Sequence, residues 1–213
     1  MPERTYNQQC GVARALDLVG ERWALLLVRE LTLGGKRFTD LKDGLPGIGT
    51  NVLATRLRQL EADGIVQKLR LAPPAATTVY VLTDYGRRLV PAMLALGRWG
   101  AESMGEPDGR HRRSEWFAVA LNAFFVPEAA LDVEATIELA LPDGTFRLRI
   151  EYGTLKVEIG PAVHWDLRLS TDTPTLLGYL KGEGAAPEAS GDTKLLELLP
   201  QLFSFTTQPV NVR

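Results

Sequence analysis

The chain has 213 residues, which is enough for two modest domains because folded units commonly run to about 100–150 residues. Apolar residues make up 45% and charged residues 23%, a balance typical of globular proteins that excludes a disordered chain. The net charge of −2 is unevenly divided, with 14 basic against 10 acidic residues over 1–105 and 10 against 16 over 106–213. The first half is therefore compatible with a polyanionic partner, which the acidic second half would repel.

Neither a secretory signal nor a membrane span is expected. The first nine residues are polar, and no run approaches the roughly 18 apolar residues that a spanning helix needs. Cys10 is the single cysteine, so an intrachain disulfide is excluded, in agreement with a reducing compartment. We expect a cytoplasmic protein without a membrane partner.

Three helices are predicted in the first 44 residues. Apolar residues recur at helical spacing over 12–33 in two blocks that are divided near Gly20. A short third helix is expected over 38–43, with Gly44 as its stop.

A fourth helix is predicted after the tight turn at 45–49. Thr50 is expected as its N-cap, and Gly64 ends it in the left-handed conformation. Its buried stripe consists of leucines at helical spacing, namely Leu53, Leu57 and Leu60.

After Gly64 the spacing of apolar residues changes from the helical period to an alternation of period two. Strands are predicted over 65–71 and 77–82, joined by a hairpin tip at 72–76. Thr83 is expected to cap a long helix that ends near Gly105 and is kinked at Pro91.

Residues 106–113 are polar, contain Pro and Gly, and are interpreted as a linker between domains at 1–105 and 114–213. The second domain begins with an apolar helix over 116–125. Alternating runs then predict an antiparallel sheet with one wet face, over 135–141, 146–150, 155–159 and 165–170. Helices over 175–181 and 193–202 would cover the other face, so the whole chain is assigned to the α+β class.

The order of helices, tight turn, helix, hairpin and helix in 1–105 is typical of a winged helix-turn-helix, whose helix after the turn enters the major groove of DNA. Four polar side chains project away from the leucine stripe of that helix: Asn51, Thr55, Arg58 and Gln59. Arg58 can pair with a guanine edge, and Asn51 or Gln59 with adenine. The alternative interpretation is an ordinary solvated helix face.

Phosphate contacts are expected around this helix. Its N-terminus at Thr50 offers free N–H groups, and Arg56 on its flank suits either a phosphate contact or an intraprotein salt bridge.

Six segments in order resemble the HxlR-type family of bacterial winged-helix regulators, at 10–17, 20–23, 31–38, 45–48, 53–64 and 80–86. The resemblance implies a homodimer on a palindromic DNA operator, acting as a repressor or dual regulator, with the first and last helices of the domain as the dimer interface. Thr77 and Thr78 stand on the returning wing strand where the family commonly carries an Arg. Lys68 and Arg70 are then the nearer cations, and weaker wing contacts are expected.

Cys10 occupies the N-terminal cysteine position that some members of this family use to sense oxidants or electrophiles. Arg14, one helical turn away, would favour the thiolate. The alternative role for Cys10 is packing.

Residues 114–213 resemble the sterol-carrier-protein type of lipid-binding domain through 141–146 and 165–177. The resemblance implies an apolar tunnel for a small-molecule effector that biases the dimer between DNA-competent and DNA-incompetent states. Its candidate lining residues, which equally suit a plain core, are Trp116, Phe117, Phe124, Phe125, Trp165, Tyr179, Leu180 and Phe203.

Catalysis is not expected, because the two histidines, His111 and His164, stand in no metal-binding or catalytic spacing. Neither a cofactor nor a metal is predicted. The alternative to a DNA-binding regulator is a lipid-carrying or protein-interaction module whose winged helix docks a protein.

Overall fold

A computed structural model of the chain describes residues 5–105 and 111–205. The chain contains both helices and sheets and divides into two compact units, residues 1–93 and 94–213. The predicted linker falls partly outside the described residues, so the domain boundaries at 105 and 114 stay predictions. No described helix is both long and apolar enough to cross a membrane.

The first unit carries the predicted succession of helices and a hairpin. Its elements are α1 Gly11–Val19, α2 Ala24–Thr32, α3 Phe38–Gly44, α4 Thr50–Ala62, β1 Val66–Arg70, β2 Thr78–Leu82 and α5 Asp84–Arg87. The strands pair in antiparallel fashion with Val66 opposite Leu82. The α4 stripe of Leu53, Leu57 and Leu60 is buried, as its spacing predicts.

Two helix boundaries in this unit differ from the prediction. Gly49 is the N-cap of α4 and Thr50 its first helical residue, because the carbonyl of Gly49 already accepts the N–H of Leu53. The long helix predicted after Thr83 is two helices, α5 and α6 (Val90–Ala101). Pro91 cannot donate an N–H and lies in the first turn of α6, so the chain breaks before it instead of kinking.

A buried ion pair connects α2 to the hairpin. Glu30 on α2 accepts from Lys36 with an Nζ–Oε2 distance of 2.9 Å, and Arg29 adds a second contact at 2.8 Å. The backbone of Lys36 exchanges two hydrogen bonds with Tyr80 of β2, at 3.0 and 2.8 Å. Gly35 permits this approach, since a Cβ there would lie 2.9 Å from Cγ1 of Val81.

The second unit is a five-stranded sheet covered by helices. Its elements from residue 111 onward are α7 Ser114–Phe124, a 3-10 helix Pro127–Ala130, β3 Ala135–Leu141, β4 Gly144–Glu151, β5 Thr154–Ile159, β6 Leu167–Ser170, α8 Thr173–Leu180, β7 Glu188–Gly191 and α9 Thr193–Leu202. The strand order is β5-β4-β3-β6-β7.

The prediction of an antiparallel sheet is confirmed for three of the four strand pairs and is wrong for the fourth, because β3 and β6 are parallel neighbours. The chain leaves β5 at one edge and returns to the opposite side of β3. Alternation reports which side chains face the core, but it carries no information on which strands are neighbours. The edge strand β7 was not predicted, since it is exposed and has no β-branched or aromatic residue.

The Glu30–Lys36 pair and the exposed Glu61–Lys68 pair provide a matched test of burial, since both have an N–O distance of 2.9 Å. Glu30→Ala leaves the ammonium of Lys36 in a buried site and should lower the free energy of unfolding by about 3–5 kcal/mol. Glu61→Ala should lower it by at most about 1 kcal/mol, because water solvates the released Lys68. Native-state amide hydrogen exchange of α2 and α4 measures both losses. Equal losses would contradict the role assigned to the buried pair.

Candidate nucleic-acid interface

The outer face of α4 is polar and exposed, and it follows the tight turn after α3. Asn51, Thr55, Arg58 and Gln59 are all exposed, on the side of the helix opposite the buried leucines. Val52 is also 43% exposed, and its methyl groups suit contact with a thymine methyl. Val52 could not be predicted as a contact from the pattern of hydrogen-bonding side chains alone.

Two arginines of α4 engage its polar side chains in different ways. Arg58 folds back along the helix, donating to Oγ1 of Thr55 at 3.2 Å and to the carbonyl of Ala54 at 3.3 Å. Arg56 donates from Nη2 to Oε2 of Glu21 at 2.9 Å and from Nη1 to Oε1 of Gln59 at 2.8 Å. Of the two roles that the sequence left open for Arg56, the structure shows the intraprotein salt bridge.

The start of α4 is not blocked by the protein itself. Gly49 supplies no capping side chain, and the first turn of the helix has no acidic residue. The initial N–H groups and the positive end of the helix dipole therefore suit a phosphate oxygen.

The hairpin contributes less free positive charge than its sequence suggests. Lys68 binds Oε2 of Glu61 at 2.9 Å and lies over the ring of Tyr80 at 5.6 Å. The hydrogen bond to Glu61, and secondarily the nearby Tyr80, raises the pKa of Lys68, so its charge is retained but compensated. Arg70 is exposed and forms no ion pair within residues 5–105 or 111–205.

Cys10 is exposed at the N-cap position of α1. Its sulfur closes no capping hydrogen bond, yet the N–H of Ala13, and next that of Val12, lowers the pKa of the thiol. These helix-start amides, and not the predicted Arg14, are the cause of the lowering. Cys10 therefore combines exposure with a lowered pKa, and both favour reaction of a thiol.

The eight candidate tunnel residues of the second unit do not surround one cavity. The apolar cavity under the sheet is about 10 Å³ and has Leu180 and Phe203 from that set in its lining. Phe117 and Phe124 instead stack on Phe205, and Trp165 is 38% exposed. About 10–15 Å³ is the room for one water molecule, so a small-molecule effector does not fit without opening this core.

The remaining three candidates are half-buried. Phe125 packs its ring against that of Phe203, with centroids 5.6 Å apart. The hydroxyl of Tyr179 donates to the carbonyl of Leu196 at 2.9 Å, and Trp116 lies on α7. No group of three acidic, His or Cys side chains in the described ranges is arranged to hold a metal ion.

Three helices, a tight turn followed by a fourth helix, and a hairpin wing define the first unit as a winged helix-turn-helix. A family model described as HxlR-like helix-turn-helix matches residues 18–108. The chain belongs to this family, and the resemblance inferred from its N-terminal half is confirmed.

Similar proteins place the match in the same half. The HTH-type transcriptional regulator Rv3095 of Mycobacterium tuberculosis is 41% identical over 98 residues, which is 46% of this chain and 61% of that protein. YvaP of Bacillus subtilis, also an HTH-type transcriptional regulator, is 33% identical over 89 residues, covering 42% of this chain and 82% of YvaP. The oxidized form of the redox regulator HypR is a solved structure with 34% identity and a TM-score of 0.42, covering 46% of this chain and 100% of HypR.

The chain therefore spans about three fifths of the length of the mycobacterial relative. The family model matches residues 18–108 alone, so the sterol-carrier resemblance of residues 114–213 stays a prediction.

The lowered pKa of Cys10 predicts faster alkylation near neutral pH in the folded chain than in the urea-unfolded chain. A lowered pKa means that the thiolate persists to lower pH, so the rate of reaction with iodoacetamide should reach half its maximum at a lower pH in the folded chain than in the unfolded one. Mass spectrometry of the intact chain follows the adduct. Arg14→Ala should leave the midpoint unchanged, and a higher midpoint in that variant would assign the effect to the guanidinium instead.

Proposed function

We propose that the protein is a sequence-specific DNA-binding transcriptional regulator that reads its operator with α4. The observation that carries the proposal is the exposed polar face of a helix that follows a tight turn and has an unblocked N-terminus. Membership of the HxlR-like family, and relatives named as HTH-type transcriptional regulators, support it.

Contacts to DNA divide between positioning and reading. The N-terminus of α4 and Arg70 suit phosphate oxygens, which position the protein without reading sequence. Asn51, Arg58 and Gln59 are placed to read base edges in the major groove. Lys68 contributes less than Arg70, because Glu61 already compensates its charge.

We further propose that the regulator acts as a homodimer on a palindromic operator. Apolar side chains are exposed on α1, where Val12 is 70% exposed and Leu16 44%, and on α6, where Leu96 and Trp99 are exposed. Covering such surfaces with a second copy removes apolar area from water. Two reading helices related by a twofold axis would then match two half-sites.

Redox control through Cys10 is a second candidate function. Its exposure and lowered pKa favour it, since thiolate character and access decide which cysteines are oxidised. Two copies of Cys10 in the proposed dimer would allow an intersubunit disulfide or separate mixed adducts.

Three variants of the full chain separate base reading from phosphate contact. Arg58→Ala should lower the preference for the operator over random duplex by about 1–3 kcal/mol. Arg70→Ala should weaken binding to all duplexes equally. It should also reduce the slope of log affinity against log salt concentration by about 1. Lys68→Ala is the control and should change the slope less. If all three variants bind every duplex as the parent does, the assignment of α4 and the wing is wrong.

Dimer formation through α1 is tested by Leu16→Glu, which places a charge on its exposed apolar face. Analytical ultracentrifugation should show a parent dimer and a variant shifted to the monomer. Val163→Glu, at an exposed apolar position of the second unit, is the matched control and should remain dimeric. A dimeric Leu16→Glu variant would exclude this face from the interface.

A further inference from the structure

The side chain of Gln59 is oriented by a chain of two hydrogen bonds, from Arg56 to Gln59 and from Arg56 to Glu21, which we call the relay. Glu21, in the turn between α1 and α2, accepts from Nη2 of Arg56 at 2.9 Å. Nη1 of the same guanidinium donates to Oε1 of Gln59 at 2.8 Å. A guanidinium can only donate, so the atom of Gln59 that faces Arg56 must be its carbonyl oxygen.

We infer that this relay sets the base preference of the reading helix by presenting Gln59 as a hydrogen-bond donor, so that Gln59 selects guanine over adenine. The inference deepens the proposed function and rests on it. Bidentate reading of adenine requires the oxygen and the nitrogen of the amide to face one base edge together. With Oε1 turned toward Arg56, the two N–H donors of Nε2 remain for the base, and guanine offers two adjacent acceptors, O6 and N7.

Releasing Gln59 is unfavourable because Arg56 has few other partners. Its side chain is 17% exposed, and its Nε is buried with no hydrogen-bond partner in the described residues. Turning the amide of Gln59 toward adenine would leave Nη1 without this acceptor as well. A hydrogen bond donated by a charged guanidinium is stronger than one between neutral groups, so Arg56 opposes that rotation.

Thr55 and Arg58, which neighbour Gln59 on the exposed face of α4, also present hydrogen-bond donors. Oγ1 of Thr55 accepts from Arg58, which leaves the hydroxyl proton of Thr55 to offer to a base. Arg58 itself has donors alone. The outer polar face of α4, formed by Asn51, Thr55, Arg58 and Gln59, is called the reading face. Its half formed by Thr55, Arg58 and Gln59 therefore presents donors. Asn51 near the helix start is the residue left to read adenine in bidentate fashion.

The test is selection of duplexes from a randomised library by the full chain and its variants, followed by sequencing. The position contacted by Gln59 is the one at which Gln59→Ala loses the parent's preference. At that position the parent should prefer guanine over adenine by about tenfold. Arg56→Met, which removes the relay and keeps an unbranched side chain, should reduce that ratio at least threefold and leave the preferences at the other positions in place.

Glu21→Gln is the matched control, because its amide oxygen still accepts from Arg56 and the guanine preference should be kept. A parent preference for adenine at this position, an unchanged ratio in Arg56→Met, or the absence of any position that depends on Gln59 would each overturn the inference. A parent that enriches no sequence at all would instead contradict the proposed function.

Modified bases test the same point with the parent protein alone, should Arg56→Met not fold. Replacing guanine by 7-deazaguanine at the Gln59 position removes N7 and should weaken binding about tenfold. Replacing adenine by purine removes the N6 amino group and should leave binding unchanged, because the carbonyl of Gln59 does not face it. Weaker binding to purine than to adenine would show that the carbonyl reads the base and would overturn the inference.

Discussion

The buried ion pair between Glu30 and Lys36 is the contact on which the geometry of the first unit depends. Its two charges are taken out of water, and such a pair is tolerated when hydrogen bonds satisfy both partners. Lys36 also hydrogen-bonds through its backbone to Tyr80, so one residue joins α2 to the wing in two independent ways. Gly35 allows the close approach that this requires. The helix-turn-helix and the hairpin are thereby held as one surface.

Part of the positive charge in this unit is paired with carboxylates of the same unit. Lys36, Arg37, Arg56 and Lys68 each pair with a carboxylate, at N–O distances of 2.7–2.9 Å. The four pairs use basic and acidic residues in equal number, so they leave the excess of basic residues over 1–105 unchanged. These ion pairs fix the orientation of the basic side chains. A side chain with a fixed orientation presents a defined set of hydrogen-bond donors. The relay from Glu21 through Arg56 is the example closest to the reading face.

Much of the fold could be predicted from periodicity and stop signals. Helical spacing and glycine stops located α1 to α4 to within two residues, and the exposed positions of Asn51 and Arg58 followed from 100° per residue. Strand neighbours could not be predicted, since a parallel β3–β6 pair leaves no trace in alternation. The Glu21–Arg56 pair was equally hidden, because its partners lie 35 residues apart and two charges in a sequence do not indicate their contact. Apolar spacing also failed to distinguish a tunnel from a core with about 10 Å³ of free space.

The β1–β2 hairpin, or wing, carries little uncompensated positive charge. Free energy of binding to DNA would therefore have to come mainly from other contacts. Non-specific affinity for DNA grows with the number of phosphates that are neutralised, and this hairpin offers Arg70 as its principal cation. A protein of this kind would gain less from the backbone and more from base edges and from pairing of two half-sites. In the proposed function, specificity would then rest on the polarity of a few side chains on α4. Because Thr55, Arg58 and Gln59 are oriented by intraprotein contacts, a substitution of Arg56 would alter base preference without removing a DNA contact.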